Sequence, residues 1–322
     1  MANGSASSHL PVAGAALGPG PARAAVVARP MAGTLWMLAS GLCFVAVNAI
    51  VKYLGQALPS SEAAFLRYAL GLVFLLPMLR PILRNRYTLR SLSMFGARGV
   101  VHGLGVMLWF YAMARIPIAE VTAINYLAPV YVTIGAAVFL GEKLALRRIV
   151  AVLVALLGVG VIVRPGIAAV SSGELAMLAV AVFFAASYLI AKKLADEAPA
   201  SVVVAMLSIT VTIALAPMAA AVWVTPQWHE VIWLLIVAAF ATAGHLCMTH
   251  AFRLAPVTMT QPVTFLQLIW ATAIGAIWFN EPVDIWVVTG GGIVIAAVSF
   301  ITWREAMIKR RLVTPVVNEM KG

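Results

Sequence analysis

The 322-residue chain is 63% hydrophobic and only 10% charged, whereas soluble domains carry charge on about a quarter of their residues. So few charges cannot cover the surface of a water-soluble protein of this size, and lipid must therefore surround most of the chain. The net charge of +11 does not indicate nucleic-acid binding, because the basic residues form short clusters between apolar runs, as membrane-orientation signals do.

The chain divides into two terminal tails and two long hydrophobic regions. Residues 1–30 are rich in Ala, Gly, Pro and Ser and are expected to form a disordered cytoplasmic tail. Residues 31–166 and 172–304 are each expected to hold five membrane spans, and residues 305–322 to form a basic cytoplasmic tail. Each span must be a helix of about 20 apolar residues, because every backbone amide in lipid needs an internal partner. The predicted spans are 33–53, 62–80, 95–114, 118–140, 147–164, 174–192, 200–223, 230–252, 256–279 and 283–303.

Basic residues predict the orientation of these ten spans. If the N-terminus is cytoplasmic, only Lys52, Arg115 and Arg164 lie in outside segments, and Arg67 lies within span 2. The other 18 of the 22 Lys and Arg residues, Arg98 among them, are then assigned to inside segments. This asymmetry predicts a multi-pass protein of the bacterial inner membrane with both termini in the cytoplasm.

The second half of the sequence repeats the first. GTLWMLASGLCFVAVNAIVKYL (33–54) and GELAMLAVAVFFAASYLIAKKL (173–194) match at ten of 22 positions with a shift of 140. A shift of 139 places residues 111–131 on 250–270 and Glu142 on Glu281. Because each half holds an odd number of spans, the second half must enter the membrane from the opposite side. The predicted fold is therefore an all-α membrane protein with two inverted five-helix repeats around a central cavity, an arrangement typical of alternating-access transporters.

The ten spans, the repeat and the short GEKL and NEPV turns before spans 5 and 10 resemble the drug/metabolite transporter superfamily. The resemblance covers residues 31–304, falls within the EamA group, and is strongest to the YddG-type amino-acid exporters of that group. It implies a ten-helix basket in which spans 5 and 10 lie away from the substrate path.

Polar residues in register on spans 4 and 9 predict where a substrate cavity lies. Span 4 carries Thr122, Asn125, Pro129 and Thr133 on one helix face, and span 9 has Gln261, Thr264 and Thr272 at matching positions. Such groups are costly in lipid, so they favour a shared water-accessible cavity, although hydrogen bonding between helices is the alternative. The predicted cavity residues are Asn48, Trp109, Thr122, Asn125, Tyr126, Tyr188, Gln261, Thr264, Phe265, Gln267 and Trp270.

Titratable groups are sparse in the predicted membrane core. All 11 Asp and Glu residues fall in loops, in tails or at helix ends. His102 and His245 are therefore the candidates for a proton or polar relay, with hydrogen-bonded core histidines as the alternative. Arg67 is expected to extend toward the surface, and Glu142 and Glu281 to complement the N-termini of spans 5 and 10. No metal site or cofactor is predicted.

These features predict a transporter that exports small amphipathic metabolites, most plausibly aromatic and other neutral amino acids, by facilitated diffusion. The alternatives are an importer of S-adenosylmethionine or of a nucleotide-linked solute, and an intramembrane enzyme. The sequence contains no HExxH, GxSxG or DDxxD-like pattern, which disfavours the enzyme. The predicted partners are the small-molecule substrate and the lipid bilayer, without nucleic acid, for a chain that is a monomer or a homodimer.

Overall fold

The computed structural model describes residues 30–84, 86–140, 146–166, 169–194, 197–255, 260 and 263–313. These residues form α-helices joined by short turns. The helices are α1 (Pro30–Leu54), α2 (Ser60–Gly71), α3 (Leu79–Arg84), α4 (Leu89–Met113), α5 (Ile118–Asn125), α6 (Ala128–Leu140), α7 (Leu146–Val163), α8 (Ser172–Leu194), α9 (Ala200–Ala221), α10 (Trp228–Leu254), α11 (Leu266–Trp278) and α12 (Ile285–Val313).

The predicted spans coincide with these helices, and the all-α membrane fold is confirmed. Span 2 is built from α2 and α3 with a 3₁₀ segment, Leu72–Met78, between them, and span 4 from α5 and α6. Only the second part of span 9, α11, forms a continuous helix within the described residues. Span 10 runs further than predicted, because α12 continues to Val313. The predicted tail at residues 1–30 lies, except for Pro30, outside the described part of the chain.

Within the described residues, six segments are long and apolar enough to cross a membrane alone, and two shorter helices are also apolar. The six are Met31–Leu54, Ile118–Gly135, Ser172–Ala191, Ser201–Ala221, Trp228–Ala251 and Ile285–Arg304. Spans 2 and 3 are not in this set. Both carry charged groups within the fold, Glu62 and Arg67 on α2 and Arg98 on α4, and Pro77 lies inside the 3₁₀ segment of span 2. Proline cannot donate the hydrogen bond that a continuous α-helix needs at that position.

The helices pair as expected for two halves related by a two-fold axis. The repeat matches α1 with α8 and α4 with α10, and the structure packs α1 against α10 and α4 against α8. The matched helices α7 and α12 pack on each other. There a Cβ on Gly158 would lie 2.8 Å from the carbonyl oxygen of Gly290, so glycine is required for this approach between the halves.

Candidate functional site

Spans 4 and 9 are both interrupted at the position that the repeat matches. In span 4, α5 ends at Asn125, and the amides of Tyr126 and Leu127 bond three residues back, to Ala123 and Ile124. Pro129 lies just beyond and cannot donate to the α-helical ladder. In span 9 a turn at Phe265 precedes α11. The two breaks therefore fall at Tyr126 and Phe265, which a shift of 139 superimposes.

The two breaks contact each other across the halves. The Tyr126 hydroxyl donates to the carbonyl oxygen of Thr264 at 3.2 Å. The rings of Tyr126 and Phe265 are 5.3 Å apart and perpendicular, a favourable aromatic geometry. In transporters with inverted repeats, substrate sites lie where discontinuous helices meet near the bilayer midplane. This contact is therefore the centre of the candidate site.

Helix α1 lies against the same place. A Cβ on Gly41 would lie 3.2 Å from the Trp270 ring and 3.5 Å from the Gln267 side chain, so this glycine lets α1 approach α11. The Asn48 amide is 3.5 Å from the Thr122 hydroxyl. The Oδ1 atom of Asn125 is buried and has no hydrogen-bond partner. A buried orphaned acceptor is uncommon in proteins and suggests a site for a ligand or water.

Three threonines of the predicted polar stripe have hydrogen-bond partners, unlike the Oδ1 atom of Asn125. Thr122, Thr133 and Thr272 each donate to the carbonyl of the residue four positions earlier, at 2.8, 3.0 and 2.8 Å. Their hydroxyls are therefore satisfied within their own helices and do not need an aqueous cavity. Of the other predicted cavity residues, Trp109 packs edge-on against Phe110, and Gln261 lies outside the described residues.

Rings from α2, α4 and α8 form a second cluster, in which Tyr68 and Phe184 pack in the same hydrophobic core as Tyr126 and Phe265. Two of its four members, Tyr68 and Phe184, were missed from the sequence. The His102 ring stacks on Phe184 at 4.9 Å, and its Nε2 atom is 3.1 Å from the Tyr68 hydroxyl. Phe184 contacts Tyr188 at 6.4 Å, and 48% of Tyr188 is exposed although it lies within a span. Tyr68, His102, Phe184 and Tyr188 are called the ring cluster below.

Two arginines accompany the ring cluster without an acidic partner among the described residues. The Arg67 guanidinium lies 4.1 Å above the Tyr68 ring, in a cation–π contact, instead of reaching an acid. Arg98, which was counted among the basic residues of the inside segments, is buried, with only 6% exposed. Its Nε atom lies 3.4 Å from the Ser187 hydroxyl, and its Nη1 atom donates to the Val203 carbonyl at 3.0 Å.

The carboxylate nearest to Arg67 in sequence has another role. Glu62 is fully buried and accepts from the backbone amide of Val224 at 2.9 Å. The two arginines therefore keep an uncompensated positive charge beside the ring cluster. Such a charge favours anionic or electron-rich groups and disfavours cations.

His245 lies on α10, which packs against α1. Its ring contacts Phe44 edge-on at 5.1 Å. Phe44 and Phe184 are matched by the repeat, so each half places one phenylalanine beside one histidine. Among the described residues no group of His, Cys, Asp and Glu could hold a metal ion.

Comparison with known proteins identifies the family. The model of the EamA-like transporter family matches the chain twice, at residues 31–164 and 171–303. The chain is 30% identical to the riboflavin transporter of Vibrio cholerae over 88% of this chain and 96% of that protein. It is 28% identical to the S-adenosylmethionine uptake transporter of Rickettsia bellii over 86% of this chain and 96% of the relative. It is also 27% identical to the pseudopaline exporter CntI of Pseudomonas aeruginosa, over 82% and 94% of the two chains.

A solved crystal structure shares the fold, with a TM-score of 0.54 and 18% identity over 88% of this chain and 99% of the other. The relatives carry different solutes and do not single out amino-acid exporters. They are transporters and not enzymes. The chain is a multi-pass membrane transporter and belongs to the EamA-like transporter family.

Proposed function

We propose that this chain moves a planar heteroaromatic metabolite across the membrane by alternating access, with riboflavin as the first candidate. The observation that carries the proposal is the ring cluster, in which His102 stacks on Phe184 and the partly exposed Tyr188 continues the row. Aromatic surfaces of this kind bind flat ring systems with little loss of side-chain entropy. Two relatives at 30% and 27% identity are riboflavin transporters, which supports the same class of substrate.

The arginines help to choose between the solutes that the relatives carry. S-adenosylmethionine bears a sulfonium cation, and Arg67 and Arg98 have no acidic partner among the described residues to offset their charge. A neutral ring system with carbonyl oxygens, such as a flavin, accepts hydrogen bonds from guanidinium groups without this repulsion. Riboflavin therefore ranks above S-adenosylmethionine for this chain.

Export of aromatic amino acids is the second candidate. The same rings would pack against an indole or phenol, and the arginines would attract a carboxylate. Solute counterflow in proteoliposomes decides between the candidates. Vesicles preloaded with unlabelled solute should take up labelled riboflavin, and preloading with tryptophan or S-adenosylmethionine should give much less uptake of their own labelled forms. Counterflow of tryptophan without riboflavin would establish the second candidate, and counterflow of neither would reject both.

We further propose that Asn125, Tyr126, Gln267 and Trp270 line one central cavity. The contact between the helix breaks and the approach of α1 at Gly41 support this arrangement. Single cysteines at these four positions, in a Cys43→Ala, Cys247→Ala background, should react with a water-soluble thiol reagent, and riboflavin should slow the reaction. Protection at all four positions, with and without riboflavin, would favour simple helix packing.

We also propose a bacterial inner-membrane location with both termini cytoplasmic, from the uneven distribution of Lys and Arg. A reporter that is active only in the periplasm, fused after Gly322, should remain silent. Activity of that reporter would show that the predicted orientation of every loop is wrong.

A further inference from the structure

Four residues from both halves meet at the end of the molecule where α1 finishes. The Lys52 ammonium lies 2.8 Å from the Glu281 carboxylate and donates to the Ile116 carbonyl at 2.8 Å. The backbone amide of Ile118 donates to Glu281 Oε2 at 2.9 Å. The Lys52 and Glu281 side chains are only 17% and 11% exposed. Lys52, Ile116, Ile118 and Glu281 are called the latch below.

The latch joins the second half to the helix that carries the first break. Glu281 lies between α11 and α12, whereas Ile118 begins α5, which reaches the break at Tyr126 about 12 Å further on. Glu281 had been expected to complement the N-terminus of span 10, and it instead caps α5. It can do so because Gly275 has no side chain, since a Cβ there would collide with the carboxylate.

The energetics of the latch suit a contact that opens and closes. An enclosed ion pair loses hydration when it forms and regains about as much from its own attraction, so closing is close to neutral overall. Once separated, both charges are free to be hydrated. Removing one partner is different, because the remaining charge is then left enclosed without compensation.

A pocket of about 330 Å³ lies directly beside the latch. It is lined by Leu54 and Gln56, just beyond Lys52, and by Arg115, just before Ile116. The pocket and the latch are therefore built from neighbouring residues at the end of α1 and in the turn before α5.

We infer that Lys52 and Glu281 are positioning residues that hold the candidate cavity closed at this end of the molecule, and that transport requires the pair to separate. The inference rests on the proposed transport by alternating access. When Glu281 leaves the amide of Ile118, α5 loses the cap that the second half supplies to its N-terminus, and Lys52 loses its charge partner. The route from the pocket to the break at Tyr126 then opens.

The test measures access without any substrate. A single cysteine at Asn125, in the Cys43→Ala, Cys247→Ala background, is exposed to a membrane-impermeant thiol reagent from the latch side of oriented vesicles. Glu281→Gln should raise the labelling rate about tenfold, the change that follows when a closed state loses one strong contact. Lys52→Arg keeps the positive charge and a donor for the Ile116 carbonyl, so it should keep the rate of the parent.

A second ion pair at the same end supplies the control. Arg164 and Asp284 lie 2.7 Å apart and join the end of α7 to the start of α12, whereas Glu281 bonds the amide at the start of α5. Asp284→Asn should leave the labelling rate unchanged. An unchanged rate in Glu281→Gln, or an equal rise in Asp284→Asn, would overturn the inference. If Glu281→Gln does not reach the membrane, Lys52→Gln takes its place. The labelling rate should rise about tenfold in this variant too, and an unchanged rate would overturn the inference.

Failure of the latch and failure of the substrate proposal remain distinguishable. Labelling that responds to the latch variants, with no counterflow of riboflavin, would reject the substrate and keep the latch. Counterflow of riboflavin together with a labelling rate that is the same in all latch variants would reject the latch and keep the substrate.

Discussion

The two halves of the molecule share the residues that bring helices together but not those that surround the candidate substrate. At one end Gly33 packs against Ala255, and at the other its counterpart Gly173 packs against Ile116. At the middle, a Cβ on Gly105 would lie 2.9 Å from the Phe184 ring, and one on its counterpart Gly244 would lie 3.2 Å from Phe44. Because shifts of 139 and 140 relate these pairs, the duplicated residues define the helix pairing itself.

The groups beside Phe184 have no such counterparts. A shift of 139 places Arg67 on Met206, Arg98 on Val237 and His102 on Ala241. Asn48 and Tyr188 are matched in position but differ in chemistry. A change of access between two sides needs two similar halves, whereas an asymmetric substrate needs an asymmetric set of contacts. Under the proposed alternating access, we therefore expect the duplicated residues to belong to the moving parts and the unmatched residues to belong to the recognition site.

The largest difference between the halves is expected for the two matched phenylalanines. Phe184→Ala removes the ring on which His102 stacks and should raise the half-saturating riboflavin concentration about 100-fold, equivalent to about 2.7 kcal/mol. Phe44→Ala should raise it about threefold, because Phe44 lies outside the ring cluster. Initial rates of riboflavin counterflow measure both values. Equal effects would show that the two halves contribute equally to recognition.

The second largest difference is expected between alanine variants of the two matched glycines, Gly105 and Gly244, in their thermal stability. Gly105→Ala places a Cβ 2.9 Å from Phe184 and should destabilise the fold by about 1–3 kcal/mol, because packed rings cannot move apart freely. Gly244→Ala leaves 3.2 Å to Phe44 and should cost about 1 kcal/mol or less. Thermal unfolding in detergent compares the two variants. A greater loss in Gly244→Ala would contradict the packing described for the first half.

A smaller change is expected at the helix breaks, where the halves differ by one hydroxyl. Tyr126→Phe removes the hydrogen bond to the Thr264 carbonyl and gives span 4 the ring that span 9 has at Phe265. One neutral hydrogen bond contributes about 1 kcal/mol, so the unfolding transition should move by a few degrees at most. Phe265→Tyr is the matched control. A loss of all transport in Tyr126→Phe would mean that the hydroxyl contacts the substrate.

The sequence predicts facilitated diffusion, which follows the substrate gradient, so no effect is expected from a pH gradient alone. Vesicles with equal riboflavin on both sides should show no net movement after a pH step. Accumulation of riboflavin driven by that step, and lost in His102→Gln or His245→Gln, would identify the histidine as a proton relay and contradict the proposal.

Regular features of the sequence predicted most of the fold. Apolar runs located the spans, and Pro129, which cannot donate to an α-helical ladder, lies just beyond the break at Tyr126. The ring cluster was harder to predict, because Tyr68 and Phe184 lie in ordinary apolar runs and acquire a role only through contacts between distant helices. The burial of Arg98 could not be predicted for a related reason. A cation near the start of a span is usually a loop residue, and only the Ser187 hydroxyl and Val203 carbonyl make its burial tolerable.

Equilibrium binding of riboflavin to the purified protein tests the account most directly. Aromatic stacking quenches flavin fluorescence, so titration of riboflavin with the purified wild type should give saturable quenching. The quenching should disappear in Phe184→Ala, persist in Phe44→Ala and resist competition by S-adenosylmethionine. Absence of saturable quenching in the wild type, or its persistence in Phe184→Ala together with loss in Phe44→Ala, would contradict recognition by the ring cluster.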